Sequence, residues 1–167
     1  ASGDNMTFQQ RLEGQNLQML KKGTSSAEKT TLSFWVKSNK TGTYVVELRD
    51  KDNSNRVISK TYTISSSDTW EKKTVTFDGD TTGTLTNDNS DSLDLNFWLG
   101  SGSDFTSGSL NSTWGASTNS RAVGQVNLAD STSNEWYITG VQLEVGDQAT
   151  DFEHIPFDVQ LQRCRRY

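Results

Sequence analysis

Apolar and polar residues alternate through most of this chain, and the 3.6-residue period of a helix is nearly absent. In "TTLSFWVKS" Leu32, Phe34 and Val36 share one face, with Ser33, Trp35 and Lys37 on the other. "TYVVELRD" groups Tyr44, Val46 and Leu48, and "RVISKTYTI" groups Ile58, Tyr62 and Ile64. "LDLNFWLG" sets Leu93, Leu95, Phe97 and Leu99 against Asp94, Asn96 and Trp98. "TWEKKTVTF" and "EWYITGVQLEV" also read as strands, each with a change of parity partway. In the second, Trp136 and Ile138 share a face, and then Val141, Leu143 and Val145 do. A bulge near Thr139-Gly140 reconciles the two halves, and glycine is the usual residue there.

Turn-forming stretches such as "SNKTG", "DKDNSN", "SSSD" and "DGDTTG" separate these runs. Short strands at this spacing, with no helices between them, predict an antiparallel β-sandwich. Its core is expected to include Phe34, Val36, Leu48, Tyr62, Leu95, Phe97 and Leu143. Residues 100 to 134 break the rhythm. They are too long for a passive connector, so they hold either irregular edge strands or a functional loop system.

Composition narrows the picture. The chain has 167 residues, one domain's worth, with a hydrophobic fraction of only 31%. Five Trp, seven Phe and four Tyr nevertheless supply enough buried area to argue against disorder. A net charge of −5 leaves no basic stripe for nucleic acid. No run of 18 apolar residues occurs, so no membrane insertion is expected. The opening "ASGDNM" lacks the charged and apolar regions of a secretory signal. Cys164 is the sole cysteine, which excludes an intrachain disulfide and any Cys-based metal cluster.

The quoted pieces "RLEGQNLQMLKKGT", "TLSFWVKSNKTGTYVVELRD", "TYTISSSDTWEKKTVTFDGDTTGT" and "WYITGVQLEVGDQATDFEHIPFDVQLQRCRRY" resemble a known group. They are similar to the carbohydrate-binding-module-like jelly-roll domains of bacteriophage tail-fibre proteins, many of them marine. The most specific parts are "ITGVQLEVG" and the ending, with Phe152, Glu153, His154 and Pro156 followed by "QLQRCRRY". The resemblance implies a jelly roll of about eight to ten strands in a virion appendage, made in the bacterial host cytoplasm. It also implies fibre partners, with a homo-oligomer, a trimer foremost. In such proteins the chain commonly continues past the Arg-Tyr ending.

The expected organisation is a sandwich over residues 1–155 and a connector helix over 156–167. Pro156 pre-sets the helical direction, Asp158 stands near the helix start, and Arg163, Arg165 and Arg166 fall in its last turn. Val159, Leu161 and Cys164 form a narrow apolar face. A helix this short is expected to dock on its own sandwich, a subunit or a following domain.

Catalytic signals are weak. His154 is the only histidine and lies in the exit segment, where a structural hydrogen bond is the simpler role. No carboxylate pair is marked by its surroundings. A structural calcium is the one cofactor with a sequence pattern behind it. "RDKDNSN" places Asp50 and Asp52 at alternate positions, but lacks the glycine and glutamate of a complete calcium loop. A solvated hairpin turn is the favoured reading of that stretch.

The aromatic residues point to recognition instead. By parity Trp35 and Trp98 face away from the core, among Ser33 and Lys37 and among Asn96 and Asp94. An indole with polar neighbours can stack on a sugar ring while amides and carboxylates bond its hydroxyls. The competing reading is that this second face is itself covered. Trp114 in the glycine-serine segment is a third candidate anchor, with Arg121 as a further hydrogen-bonding partner. The expected function is a non-enzymatic virion domain that binds host cell-surface glycan through exposed aromatics. The alternative is the carbohydrate-binding module of a secreted polysaccharide-degrading enzyme.

Overall fold

The structure is a computed structural model and describes residues 1–116 and 118–165. Its strands are β1 (Asn5–Glu13), β2 (Thr30–Ser38), β3 (Gly42–Asp50), β4 (Val57–Ile64), β5 (Glu71–Phe77), β6 (Asp91–Ser101) and β7 (Trp136–Val145). One helix, α1 (Phe157–Cys164), follows. The strands form a four-stranded sheet in the order β1-β6-β3-β4 and a three-stranded sheet in the order β5-β2-β7, all antiparallel. Only β3 and β4 are consecutive neighbours, while early strands pair with late ones. That is the winding of a jelly roll. Seven strands complete it among the described residues, fewer than the eight to ten expected.

The alternation places the core as read. Leu32, Phe34 and Val36 of β2 meet Tyr44, Val46 and Leu48 of β3, Ile58, Tyr62 and Ile64 of β4, and Leu93, Leu95 and Phe97 of β6. Phe34 stands edge-on to both Tyr62 and Phe97, each at 5.1 Å. Leu143 packs against this core but remains half-buried. β7 shifts register against β2 between Ser33 and Trp35, with Gly140 at φ 59° in the left-handed region. The bulge therefore lies where the parity change demanded it. Val141 and Val145 are nonetheless exposed, because β7 is an edge strand and no strand among the described residues pairs with its second edge.

The described residues between 100 and 134 hold two single 3-10 turns, Ser103–Phe105 and Leu128–Asp130, and one bridge from Gly115 to Val57. This segment folds over the outer face of the four-stranded sheet. Phe105, Leu110 and Ala122 pack there on Val45 and Trp98 as a second, smaller apolar cluster. The Gln125 side chain pins the segment down. It accepts from the Val45 N–H at 2.8 Å and donates to the Trp98 carbonyl at 2.6 Å.

The helix forms where Pro156 predicted it, with Asp158 in its first turn and Arg163 in its last. None of its described residues is fully buried, and Leu161 is half-buried. Arg166 and Tyr167, part of the expected connector, lie outside the described residues. Cys164 is exposed. His154 is also exposed, with its ring edge-on to Phe152 at 5.0 Å.

Candidate functional site

The outer face of the three-stranded sheet is built by parity. On β2, Ser33, Trp35 and Lys37 point outward between the outward residues of β5 and β7. Pairing sets Trp35 opposite Lys72 on one side and Thr139 on the other. Two residues along, Lys37 lies opposite Tyr137. The Lys37 ammonium sits 4.8 Å from the Tyr137 ring and 5.8 Å from the Trp70 ring, so the cation is held between two aromatic faces. Tyr137 donates its hydroxyl to Glu135 at 2.7 Å. Trp35, Trp70 and Tyr137 are each a little over 40% exposed, and Phe152 is 38% exposed.

The exit segment frames this face. The Gln142 side chain accepts from the Glu153 N–H at 2.7 Å, and the Thr150 N–H donates to Glu144 at 3.1 Å. These contacts bring residues 150 to 153 back along β7. A Cβ at Gly140 would lie 3.4 Å from the Trp35 ring and 3.9 Å from Phe152, so the two rings flank the bulge. The result is an open row of aromatic rings with Lys37, Lys72, Thr139 and Gln142 among them. Such a surface can stack on the apolar faces of sugar rings and hydrogen-bond their hydroxyls.

Of the six candidate residues read from the sequence, only Trp35 lies on this face. Trp98 does point away from the main core, but it is 1% exposed. Phe105, at 5.3 Å between ring centroids, and the Arg121 guanidinium, 5.1 Å from the ring, lie against it. Parity was right about Trp98 and exposure was not, because the segment after β6 covers it. Trp114 is half-buried and staples its loop. Its indole N–H donates to the Asp78 carbonyl at 2.7 Å, and the Lys22 ammonium stands 5.1 Å from its ring. Asn96 and Asp94 are buried on β6, and Arg121 is committed to Glu47 at 2.5 and 2.7 Å. None of these five serves as an open platform.

The two carboxylates of the calcium-like pattern, Asp50 and Asp52, have protein partners. Asp50 is fully buried and pairs with the Lys22 ammonium, while also accepting from the Asp52 and Asn53 N–H groups. Asp52 is exposed and accepts from the backbone and hydroxyl of Thr86 at 2.9 and 3.1 Å. A protein ammonium thus stands beside the Asp50 carboxylate. Among the described residues no three His, Cys, Asp or Glu side chains gather as a metal ion would require.

Sequence reasoning missed Trp70 and Tyr137. The signal was present, since Tyr137 is out of phase with Trp136 and Ile138. Trp70 alternates with Lys72 but precedes the first paired residue of β5.

Asp94 has an unusual environment. Burial, and then the Asp91 carboxylate beside it, push its carboxyl up to about 6. The folded state therefore keeps a proton that the unfolded chain releases near ~4. Stability from this group is present below that lower value and is lost as pH rises through about 6. Asp94→Asn is accordingly expected to gain in melting temperature relative to the parent between pH ~4.5 and ~7.5. Parallel melting profiles for the two proteins across that range would contradict the assignment.

Comparison with known proteins finds no matching family model, no matching curated protein and no matching solved structure.

Proposed function

We propose that this chain is a non-enzymatic domain of a phage tail fibre or appendage that binds host-surface glycan through the outer face of its three-stranded sheet. One observation carries the sugar-binding reading: Trp35 and Tyr137 lie exposed on one sheet face, with exposed Trp70 beside them just before β5 and Lys37 between Trp70 and Tyr137. Rings on rigid strands lose little freedom when a ligand stacks on them. Trp70 and Tyr137 flank β2, so they are separated by roughly two strand spacings, about 10 Å. That span suits an extended oligosaccharide of two or three units lying across the strands. The virion setting rests on the sequence resemblance. A carbohydrate-binding module of a secreted enzyme would use the same face and differ in what is attached to it.

Stacking on two or three rings with a few polar contacts corresponds to millimolar affinity, about −4 kcal/mol. Several copies on one particle raise avidity ~100-fold without any new contact. The experiment is a glycan-array and host-cell binding screen of the domain, its Trp35→Ala and Trp70→Ala variants, and a multivalent display of each. The parent is expected to bind weakly as a monomer and strongly when multivalent. Each variant should lose at least ~10-fold in binding, about 1.4 kcal/mol, while keeping its circular-dichroism spectrum. Parent-like binding by both variants would remove the platform from consideration.

A further inference from the structure

The opposite face of the sandwich carries a second, smaller site that the platform does not use. A cleft of about 260 Å³ opens on the outer face of the four-stranded sheet. Thr7 and Gln9 of β1, Arg49 of β3, Asn96 and Trp98 of β6 and Arg121 of the covering segment line it. Pockets for drug-sized ligands run from about 300 Å³ upward, so this one suits a single sugar-sized ring.

The polar groups of the cleft are unevenly used. Gln9 donates to the Asn96 side-chain oxygen at 2.9 Å, and Asn96 donates in turn to Glu47 at 3.0 Å. Both Glu47 oxygens accept from Arg121. These acceptors are therefore occupied within the floor itself. Two donors are left over. The Trp98 indole N–H is buried without a partner, and so is the Nε–H of Arg49. Arg49 also forms no ion pair among the described residues.

Buried donors without partners are uncommon, because each carries a desolvation penalty of about 1–3 kcal/mol. The charges around the cleft balance in number but are unevenly paired. Arg11, Arg49 and Arg121 stand against Glu47, Asp91 and Asp94, and Asp94 lies opposite Arg49 in register without closing an ion pair. One Asp94 oxygen has no partner either, which provides an acceptor for a hydroxyl.

We propose that this cleft binds one acidic sugar residue, its carboxylate held by Arg49 and a neighbouring ring oxygen or hydroxyl by the Trp98 indole N–H. A guanidinium offers a planar fork that matches a carboxylate, and among the described residues Arg49, unlike Arg121, closes no ion pair, with Asp94 opposite it in register. The site is separate from the aromatic platform, on the other sheet, and does not depend on it.

The indole N–H of Trp98 supplies the readout. In a ¹⁵N-labelled domain its resonance is assigned by its loss in Trp98→Phe and followed during titration with glucuronate, glucose and acetate. Glucuronate should move it saturably in the millimolar range. Glucose, which has the ring without the charge, and acetate, which has the charge without the ring, should each bind at least ~10-fold more weakly. Arg49→Gln should remove the glucuronate response, Arg49→Lys should weaken it, and Trp35→Ala should leave it unchanged. Glucose binding as well as glucuronate would overturn the anion assignment, and acetate binding as well would overturn the sugar assignment. An unchanged response in Arg49→Gln would overturn the role of Arg49. Should that variant unfold, Arg49→Lys decides in its place: undiminished glucuronate binding there would overturn the fork geometry. Loss of glycan binding at the platform would leave all these outcomes untouched.

Discussion

Lys22→Met is expected to destabilise the domain by about 3–5 kcal/mol, the range for removing one partner of a buried ion pair. The Lys22 side chain is 5% exposed and reaches Asp50, which is fully buried, and Asp80 at 3.0 Å. Its ammonium also donates to the backbone carbonyls of Gly83 at 3.1 Å and Thr82 at 3.3 Å. Methionine fills much of the same volume but supplies no charge. Asp80 would keep its bidentate contact with Arg56, at 2.9 and 3.1 Å. Asp50 would keep only neutral donors, from Asn53 and the backbone. Urea denaturation near neutral pH measures the loss, and a difference below ~1 kcal/mol would show that the pair is not desolvated as the structure has it.

The same cluster gives a pH signature. Burial tends to raise the Asp80 carboxyl. The hydrogen bonds from Arg56, the Thr82 N–H and Lys22 outweigh it and hold the group below its ordinary value. A depressed carboxyl contributes stability above its unfolded value of ~4, and that contribution is lost as pH falls through the lower folded value. Part of it comes from Lys22, so the gap between parent and Lys22→Met should narrow in acid.

Trp98→Ala is expected to cost about 3–5 kcal/mol, as for other fully buried aromatic residues. Trp35→Ala, made on a ring that is 42% exposed, should change stability by less than ~1 kcal/mol. The ordering matters more than either value. Trp98 anchors the segment after β6 through Phe105, Leu110 and Ala122, so its loss should also loosen that segment toward proteolysis. Paired thermal melts and limited proteolysis check both effects. Equal melting temperatures for the two variants would mean that the segment does not cover Trp98.

The sandwich was legible because a strand's two faces are written in a period of two. Leu93, Leu95 and Phe97 on one face and Asp94, Asn96 and Trp98 on the other need no structure to be separated. β1 escaped the same reading. Its inward residues include Gln10 between Phe8 and Leu12, and Phe8 is half exposed at the open flank of the sandwich. An edge strand with one polar inward position carries too little contrast to stand out. The bulge in β7 was legible for the opposite reason, since a parity change and a glycine coincide at Gly140.

Alternation along the sequence thus determined which way the strand side chains face, the class of fold and the outward position of Trp35, while Pro156 and the flanking charges marked the helix. It did not determine what lies above a face. Trp35 and Trp98 have the same local pattern, yet one meets solvent and the other a loop of more than thirty residues. The difference comes from where a turn-rich segment settles, which depends on contacts such as Gln125 bridging Val45 and Trp98 across the chain. The partnership of Lys22 with Asp50 and Asp80 was equally invisible, because β2 separates Lys22 from Asp50 at the end of β3, and Asp80 lies beyond β5. Local periodicity is a short-range property of the backbone. Burial, ion pairing and clefts are properties of distant segments brought together, and only the tertiary structure decided them.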